Sequence, residues 1–209
     1  MITIDQLQNR IICADCLDIL RQLPDKCVDL VLTDPPYNIK RFNRDDGGNS
    51  KKIKSFGDRN KNWNDLPPTK ELFDEMFRVS KNQIIFGMNN FELPITEHFI
   101  VWDKMQKMPS FAECELAWSS CSTPAKIIRC RFETEKIHPA QKPVELFEKI
   151  LVDYTKENQI ILDCFSGSGT TAVACHNLHR RFICIEKDPE YYRASCERLE
   201  QAQRQQILF

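Results

Sequence analysis

The chain has 209 residues, of which 42% are apolar and 28% charged, enough to build one domain with a full core. A net charge of −1 gives no bulk attraction to nucleic acid or to a membrane surface, so a grip on a polyanion would have to come from locally placed charge. The opening MITIDQLQNRII lacks a basic segment followed by an apolar core, and no apolar run approaches the ~18 residues that span a bilayer, which excludes a signal-peptide or membrane-span reading and leads to the expectation of a cytoplasmic protein.

Ten cysteines are spread singly along the chain, most of them inside apolar segments, where cysteine acts as a small buried hydrophobe. Cys13-Ala14-Asp15-Cys16 is a Cys-x-x-Cys, but no second pair stands at zinc-finger spacing. Free thiols and no metal are expected, in keeping with a reducing compartment.

In chain order, residues 9–13 (NRIIC) suit a short strand and 16–23 (CLDILRQL) a helix of a turn or two. Residues 28–33 (VDLVLT) form a mostly apolar strand, followed by Asp34-Pro35-Pro36-Tyr37. Residues 40–62 have almost no apolar content, with eight Lys/Arg against three Asp and a Gly-Gly in the middle, and are expected to form a flexible basic loop. Residues 69–79 carry Leu72, Phe73, Met76 and Phe77 at helical spacing. Residues 83–87 and 98–102 are strand-like, and 115–118 (ELAW) are a further candidate strand. The spacing then predicts a helix over 144–155, a strand over 159–164, a helix over 170–178, a strand over 181–186 and a polar helix over 189–206. Strands alternating with helices predict an α/β fold, a mainly parallel sheet with helices on both faces.

The segment ILDCFSGSGTTA reads as strand, glycine-rich turn, helix, and Gly167 to Ala172 satisfy G-x-G-x-x-A. Glycine closes such a turn and lets the backbone approach a ligand. Glu186 ends the following strand, 23 positions after Asp163, near the spacing at which an acid accepts hydrogen bonds from ribose hydroxyls. An adenosine-type ligand is therefore expected. A nicotinamide cofactor would bring its pyrophosphate to this turn, where Asp163 adds unfavourable negative charge. S-adenosylmethionine has no phosphate and carries an ammonium and a sulfonium, which favours the methyl donor.

Asp34-Pro35-Pro36-Tyr37 then acquires a purpose beyond ending a strand. Two prolines remove backbone donors and fix their carbonyls, so Asp34 and the Pro35 carbonyl make a rigid pair of acceptors. An exocyclic amino group on a nucleobase has two N–H donors and a lone pair delocalised into the ring. Accepting both donors would draw the nitrogen towards tetrahedral geometry and free the lone pair for in-line attack on a sulfonium methyl. Tyr37 offers a face for a base flipped out of its duplex.

On these residues the chain resembles the amino-group DNA methyltransferases of the β class, in which the catalytic tetrapeptide precedes the glycine loop. The family's [DNS]-P-P-[YFW] reads here Asp34-Pro35-Pro36-Tyr37, and its F-x-G-x-G reads Phe165-Ser166-Gly167-Ser168-Gly169. CADCLDILRQLPDKCVDLVLTDPPY resembles the family's entry segment with Ala14 in place of the usual glycine, and HPAQKP, His138 to Pro143, resembles H-P-T-Q-K-P with Ala140 for threonine. The resemblance implies a Rossmann-like S-adenosylmethionine-dependent fold with a seven-stranded, mostly parallel sheet containing one antiparallel strand. It implies Asp34, Pro35, Pro36 and Tyr37 as catalytic residues. It assigns the donor to Asp15 and Cys16 near its adenine, Glu186 at its ribose, Asp163, Phe165, Ser166, Gly167, Ser168, Gly169, Thr170 and Thr171 at the loop, and Gln141 and Lys142 near its methionine end, with Asp34 where donor meets base. Asp as the first residue of the tetrapeptide favours adenine N6 over cytosine N4. C5-cytosine chemistry is set aside, since the chain has no Pro-Cys dipeptide.

The basic loop, with Lys40, Arg41, Arg44, Lys51, Lys52 and Lys54, follows the tetrapeptide directly and is expected to grip DNA, with Phe42, Phe56 and Trp63 interleaved. A second cationic stretch, Lys126 to Lys136, suits either a nucleic-acid contact or an exposed edge. Only 119–137 is free to serve as a target-recognition insert in an otherwise single domain 1–209, which implies a short or relaxed recognition site, or contacts borrowed in a homodimer. A restriction endonuclease is a further partner of such enzymes. The rival readings are a cytosine-N4 DNA methyltransferase, an RNA or protein amide methyltransferase (disfavoured by motif order), a nicotinamide oxidoreductase, which leaves the tetrapeptide unexplained, and a non-catalytic donor-binding subunit.

Overall fold

A computed structural model describes residues 3–37, 67–107, 112–133, 137–138 and 140–206. The basic segment 40–62, with Lys40, Arg41, Arg44, Lys51, Lys52 and Lys54, lies outside the described residues, as do Trp63 and Lys136.

The elements run α1 (Ile4–Leu7), β1 (Arg10–Cys13), α2 (Cys16–Leu20), β2 (Val28–Thr33), α3 (Lys70–Val79), β3 (Ser80–Phe86), β4 (Phe99–Asp103), β5 (Cys114–Ser119), β6 (Lys126–Arg129), α4 (Val144–Tyr154), β7 (Ile160–Asp163), α5 (Thr170–Asn177), β8 (Arg181–Glu186) and α6 (Pro189–Gln206). A 3-10 turn, Met88–Asn90, follows β3. Local chemistry sets several of these boundaries. Pro67-Pro68 cannot continue a helix from upstream, and Thr69 starts α3 by accepting from the Leu72 N–H at 3.3 Å. Asp15 caps α2 through the Leu17 N–H at 3.0 Å.

Among the described residues the strands form one sheet in the order β1-β8-β7-β2-β3-β5-β4-β6. It is parallel except for β5, which runs antiparallel to both β3 and β4. The expected single antiparallel strand is therefore present, but the sheet has eight strands rather than seven. The additional strand is β6, which pairs in parallel with β4 at the sheet's edge. It lies inside the cationic stretch 126–136 and inside the 119–137 insert, so the middle of that insert extends the sheet. Lys126 and Arg129 there pair with Asp153 and Asp103. A four-residue strand with two basic positions has too weak an alternation to be read as a strand from sequence.

The central strands are buried on both faces, as parallel sheets require. Leu30, Val31 and Leu32 are each 1% exposed or less, and their side chains alternate between two cores. Leu30 and Leu32 join Phe86, Trp102, Phe147 and Ile150 beneath α4 and α5. Val31 joins Leu20, Phe73 and Met76 beneath α2 and α3. All ten cysteines are free; five are buried, and only Cys13 and Cys114 are exposed. No helix among the described residues is long and apolar enough to cross a membrane, and no cluster of three or more His, Cys, Asp or Glu there could hold a metal ion.

The topology fixes where a ligand can sit. After β2 the chain continues to β3 on one side, and after β7 to β8 on the other. β2 and β7 are themselves neighbours, pairing Leu30 with Ile161 and Val31 with Leu162. The loops leaving their carboxyl ends diverge and open a crevice, the position at which open α/β sheets bind ligands. Asp34 follows one strand and the glycine loop follows the other.

Candidate active site

The glycine loop is built from below by Asp163. This residue ends β7 at 3% exposure. Its Oδ1 accepts from Thr33 Oγ1 at 2.7 Å and from the Phe165 N–H at 3.0 Å, while Oδ2 accepts from Thr171 Oγ1. Burial pushes its carboxyl up to about 6 against these hydrogen bonds. Asp163 thus ties β2, the loop and α5 together underneath the crevice, and its carboxylate does not stand free to meet a ligand. Its carboxylate, expected beside the donor, is also a structural tie.

Above it, Gly167 and Gly169 take φ of +50° and +74°, the left-handed region. A Cβ on Gly169 would lie 2.9 Å from the Ser195 Cβ, so a side chain there would push α6 away. Gly169 is the N-cap of α5, whose first six residues, Thr170 to Cys175, are all buried. The Gly167 N–H donates to Glu186 Oε2 at 2.7 Å, and the Asp188 N–H to Oε1 at 2.8 Å. Burial raises the Glu186 carboxyl above its ordinary value. Glu186 therefore stands at the carboxyl end of β8, next to the loop, where the spacing from Asp163 predicts it. Asp15 lies beyond, bonded to Lys187 Nζ at 2.7 Å, which lowers its carboxyl. Cys16 points into the core, with its thiol pushed up to about 12 by burial, so only its backbone could face a ligand.

One residue that sequence reasoning passed over completes this half of the site. Arg198 of α6 donates from Nη1 to the Ser168 carbonyl and Oγ at 3.2 Å and to Thr170 Oγ1 at 3.0 Å, and from Nη2 to Glu133 Oε2 at 2.9 Å. Glu133 in turn accepts from Gln141 Nε2 at 2.5 Å and from the Val144 N–H at 2.7 Å. Gln141 is thus taken up in binding its own segment to the loop. No sequence signal marks Arg198, one of several charged residues on a polar helix.

The second half of the site surrounds Asp34. Tyr37 donates its hydroxyl to Asp34 Oδ1, and Lys142 Nζ pairs with Asp34 Oδ2. Lys142 Nζ lies 3.0 Å from Glu115 Oε2, and Glu115 Oε1 pairs with Lys104 Nζ at 2.6 Å. Burial works against charge on Lys142, but the Asp34 and Glu115 carboxylates outweigh it and raise its pKa. Asp34 is raised by burial and by Glu115, with Lys142 acting in the opposite sense. Burial and the Asp34 charge hold the Tyr37 hydroxyl well above its ordinary value, so it remains a donor. The Lys142 ammonium, which the resemblance assigns to the methionine end of the donor, contacts Asp34 of the tetrapeptide.

Gly87, just past β3, makes room for Tyr37. It takes φ +77°, and a Cβ there would fall 2.2 Å from Tyr37 Cε1. The Tyr37 ring meets Phe91 edge-on at 6.0 Å.

The fold thus sets a glycine-loop half-site after β7 beside a buried acid–amine cluster after β2, the layout of an α/β enzyme with its ligand crevice at the strands' carboxyl ends. Comparison with known proteins makes this specific. Residues 117–197 match the DNA methylase family of the N6/N4 type. The chain is 30% identical over 220 residues to "Putative methylase YubD" of Escherichia coli (strain K12), covering 94% of this chain and 92% of that protein. It is 33% identical over 138 residues to the type II methyltransferase M2.DpnII of Streptococcus pneumoniae, spanning 66% of this chain and 49% of that one. Among solved structures it resembles the M1.HpyAVI–SAM complex at 26% identity, TM-score 0.58, covering 91% of this chain and 98% of that one. It shares the fold of the cytosine-N4-specific PvuII DNA methyltransferase at 16% identity, TM-score 0.60, covering 92% and 90%. The chain belongs to the N6/N4 DNA methylase family, whose methyl donor is S-adenosylmethionine.

The residues present suit that donor. The two left-handed glycines shape the turn that leaves β7, Glu186 supplies an acceptor at the end of β8, and Phe165 to Thr171 include no cation to neutralise a phosphate. The Arg198 guanidinium beside the loop is bonded to Glu133 and to the loop's own oxygens.

Proposed function

We propose that this protein methylates the N6 amino group of adenine in double-stranded DNA. The observation that carries the reading is the placement of Asp34 and Tyr37 at the carboxyl end of β2, beside the glycine loop that leaves β7. Asp as the first residue of the tetrapeptide supports adenine over cytosine, through the family resemblance.

When bound, S-adenosylmethionine supplies an electrophilic methyl on a sulfonium. Phe165, Ser166, Gly167, Ser168, Gly169, Thr170 and Thr171 would hold it along the loop, with Glu186 accepting from its ribose hydroxyls and the Asp15–Cys16 turn beside its adenine. Asp34 and the Pro35 carbonyl each accept one N–H of the target amino group, orienting its lone pair for in-line attack. A carboxylate has about four lone-pair sites. Lys142 and Tyr37 occupy one on each oxygen of Asp34, and the remaining sites are available to the amino group. Pro36 fixes the turn. Tyr37 presents a ring to the extruded base. The amino nitrogen would take the methyl from the donor, with the sulfur keeping the S–C electron pair, and the proton lost from the nitrogen would pass to solvent.

The 40–62 segment, with Lys40, Arg41, Arg44, Lys51, Lys52 and Lys54, holds the DNA backbone in this reading, and 119–137 contributes to recognition. In this reading the protein acts in the cytoplasm, with a second copy of itself and a restriction endonuclease as its candidate partners. Asp34→Ala is expected to lower methyl transfer to DNA by at least about 10³-fold while donor affinity changes by less than about tenfold. Asp34→Asn keeps the shape of the side chain and checks the fold by circular dichroism. Asp34→Asn also keeps one acceptor oxygen and is expected to retain part of the rate, so full activity in Asp34→Ala is the result that would refute the role of Asp34.

A further inference from the structure

Four charges of alternating sign run inward from the tetrapeptide: Asp34, Lys142, Glu115 and Lys104. They come from four different segments, the turn after β2, the loop before α4, β5 and the end of β4. The two lysines are 6% and 7% exposed. Each ammonium is also boxed by aromatic rings. Lys142 Nζ lies 5.3 Å from the centroid of Phe86, 5.6 Å from Tyr37 and 6.0 Å from Trp102; Lys104 Nζ lies 5.2 Å from both Trp102 and Phe132. A buried ammonium is costly to desolvate and is kept only where its partners are fixed. A donor pocket gives no reason for Lys104 and Glu115. The orientation of Asp34 does, because each member of the series holds the next.

We propose that Lys142 is a positioning residue for methyl transfer: clamped by Glu115 and Lys104, it fixes the direction of the Asp34 carboxylate and keeps it ionised to accept from the target amino group. This rests on the proposed role of Asp34 and holds for either base. Oδ2 is anchored by the ammonium and Oδ1 by Tyr37, so the carboxylate cannot rotate away when an amino group arrives. Among the described residues, the charged and titratable groups around Asp34 are Lys142 from the loop before α4, Glu115 from β5, Tyr37 on its own turn and Asp163 at the end of β7, with Lys104 behind Glu115. Lys142 is the one cation in direct contact with Asp34 among the described residues.

The test compares wild type with Lys142→Met, Lys142→Arg and Glu115→Gln. It follows total labelled methyl incorporated into DNA against pH, together with donor affinity by calorimetry. Lys142→Met is expected to lower kcat by about 10²-fold, with donor Kd within about threefold. The acid limb of its rate profile should move to higher pH, since Asp34 keeps its burial and loses its counter-charge. Glu115→Gln should move that limb to lower pH, by removing a like charge. Lys142→Arg should recover part of the rate. The inference is overturned if Lys142→Met keeps its kcat, or loses rate and donor affinity together with the acid limb unmoved, which would return Lys142 to the donor pocket. If Lys142→Met does not fold, the opposed shift in Glu115→Gln and the partial rate of Lys142→Arg decide the matter. If wild type transfers no methyl to DNA, the functional reading fails. The Asp34 carboxyl titration, followed by carbon NMR in wild type and Glu115→Gln, then decides the inference, and an Asp34 that titrates identically in both overturns it.

Discussion

At the scale of single residues, the tetrapeptide and the loop were legible because their chemistry is local. Asp34-Pro35-Pro36-Tyr37 is one turn, and the two left-handed glycines lie within three positions of each other. Gly87 was not legible. Nothing in FGMNN says that a tyrosine fifty residues upstream will rest against it, and only the close approach of Tyr37 explains why no side chain fits. Gly87→Ala therefore meets two obstacles, a positive φ and a Cβ inside the Tyr37 ring. It is expected to displace Tyr37 and to lower kcat by ten- to a hundredfold, roughly 1.4–2.8 kcal/mol in the barrier. Donor affinity should change by less than about threefold, since the glycine loop proposed to hold the donor leaves β7, on the far side of β2 from β3. A kinetic comparison with calorimetric donor binding checks this, and parallel loss of both would place Gly87 in the donor half of the site.

At the scale of elements, periodicity recovered α3, α4, β2, β7, β8 and the final helix to within a few residues, because each has a strong apolar pattern or a clear cap. It failed for β6, short and edged with Lys126 and Arg129, and for α1, a single turn. It also could not show how elements are joined. The Arg198–Glu133 pair binds α6 to the glycine loop and to the segment before α4, and its members are 65 positions apart. Arg198 uses both nitrogens of its fork, one on Glu133 and one on Ser168 and Thr170. Lysine keeps the charge but cannot reproduce that geometry. Arg198→Lys is thus expected to weaken donor binding about tenfold, equivalent to ~1.4 kcal/mol, with a loss of stability on the order of 1–2 kcal/mol. Calorimetry and urea unfolding separate the two effects, and unchanged donor affinity would reduce Arg198 to a tie between helix and loop.

At the scale of the whole molecule, the sequence spacing of strands and helices was enough for the fold class but not for strand order. The sheet's logic is visible only once β2 and β7 are seen side by side, over 130 positions apart in sequence. The same non-local assembly gives two groups a part in how stability depends on pH. His138 packs edge-on against Tyr191 at 4.3 Å and accepts from the Ala140 N–H through Nδ1 at 3.2 Å. Burial, reinforced by the Lys142 charge, lowers its pKa to about 4. A lowered folded-state value means stability that is present above the ordinary histidine range and lost as pH falls from about 6.5 towards 4. Asp163, raised to about 6, works in the opposite direction over part of the same range. Replacing the histidine isolates its share: the loss of stability between pH 6.5 and 4.5 should be smaller in His138→Gln than in wild type, by roughly 2 kcal/mol at most. Urea unfolding at the two pH values measures it. An identical pH slope in the two proteins would mean that His138 titrates normally.

The most direct test of the central claim is methyl transfer from labelled S-adenosylmethionine to unmethylated DNA and, separately, to RNA, followed by mass spectrometry of the digested nucleosides. The account predicts N6-methylated adenine in the DNA digest and no label in RNA. N4-methylcytosine would keep the roles of Asp34 and the Pro35 carbonyl but contradict the choice of base. Donor binding with no label in DNA would contradict the function itself.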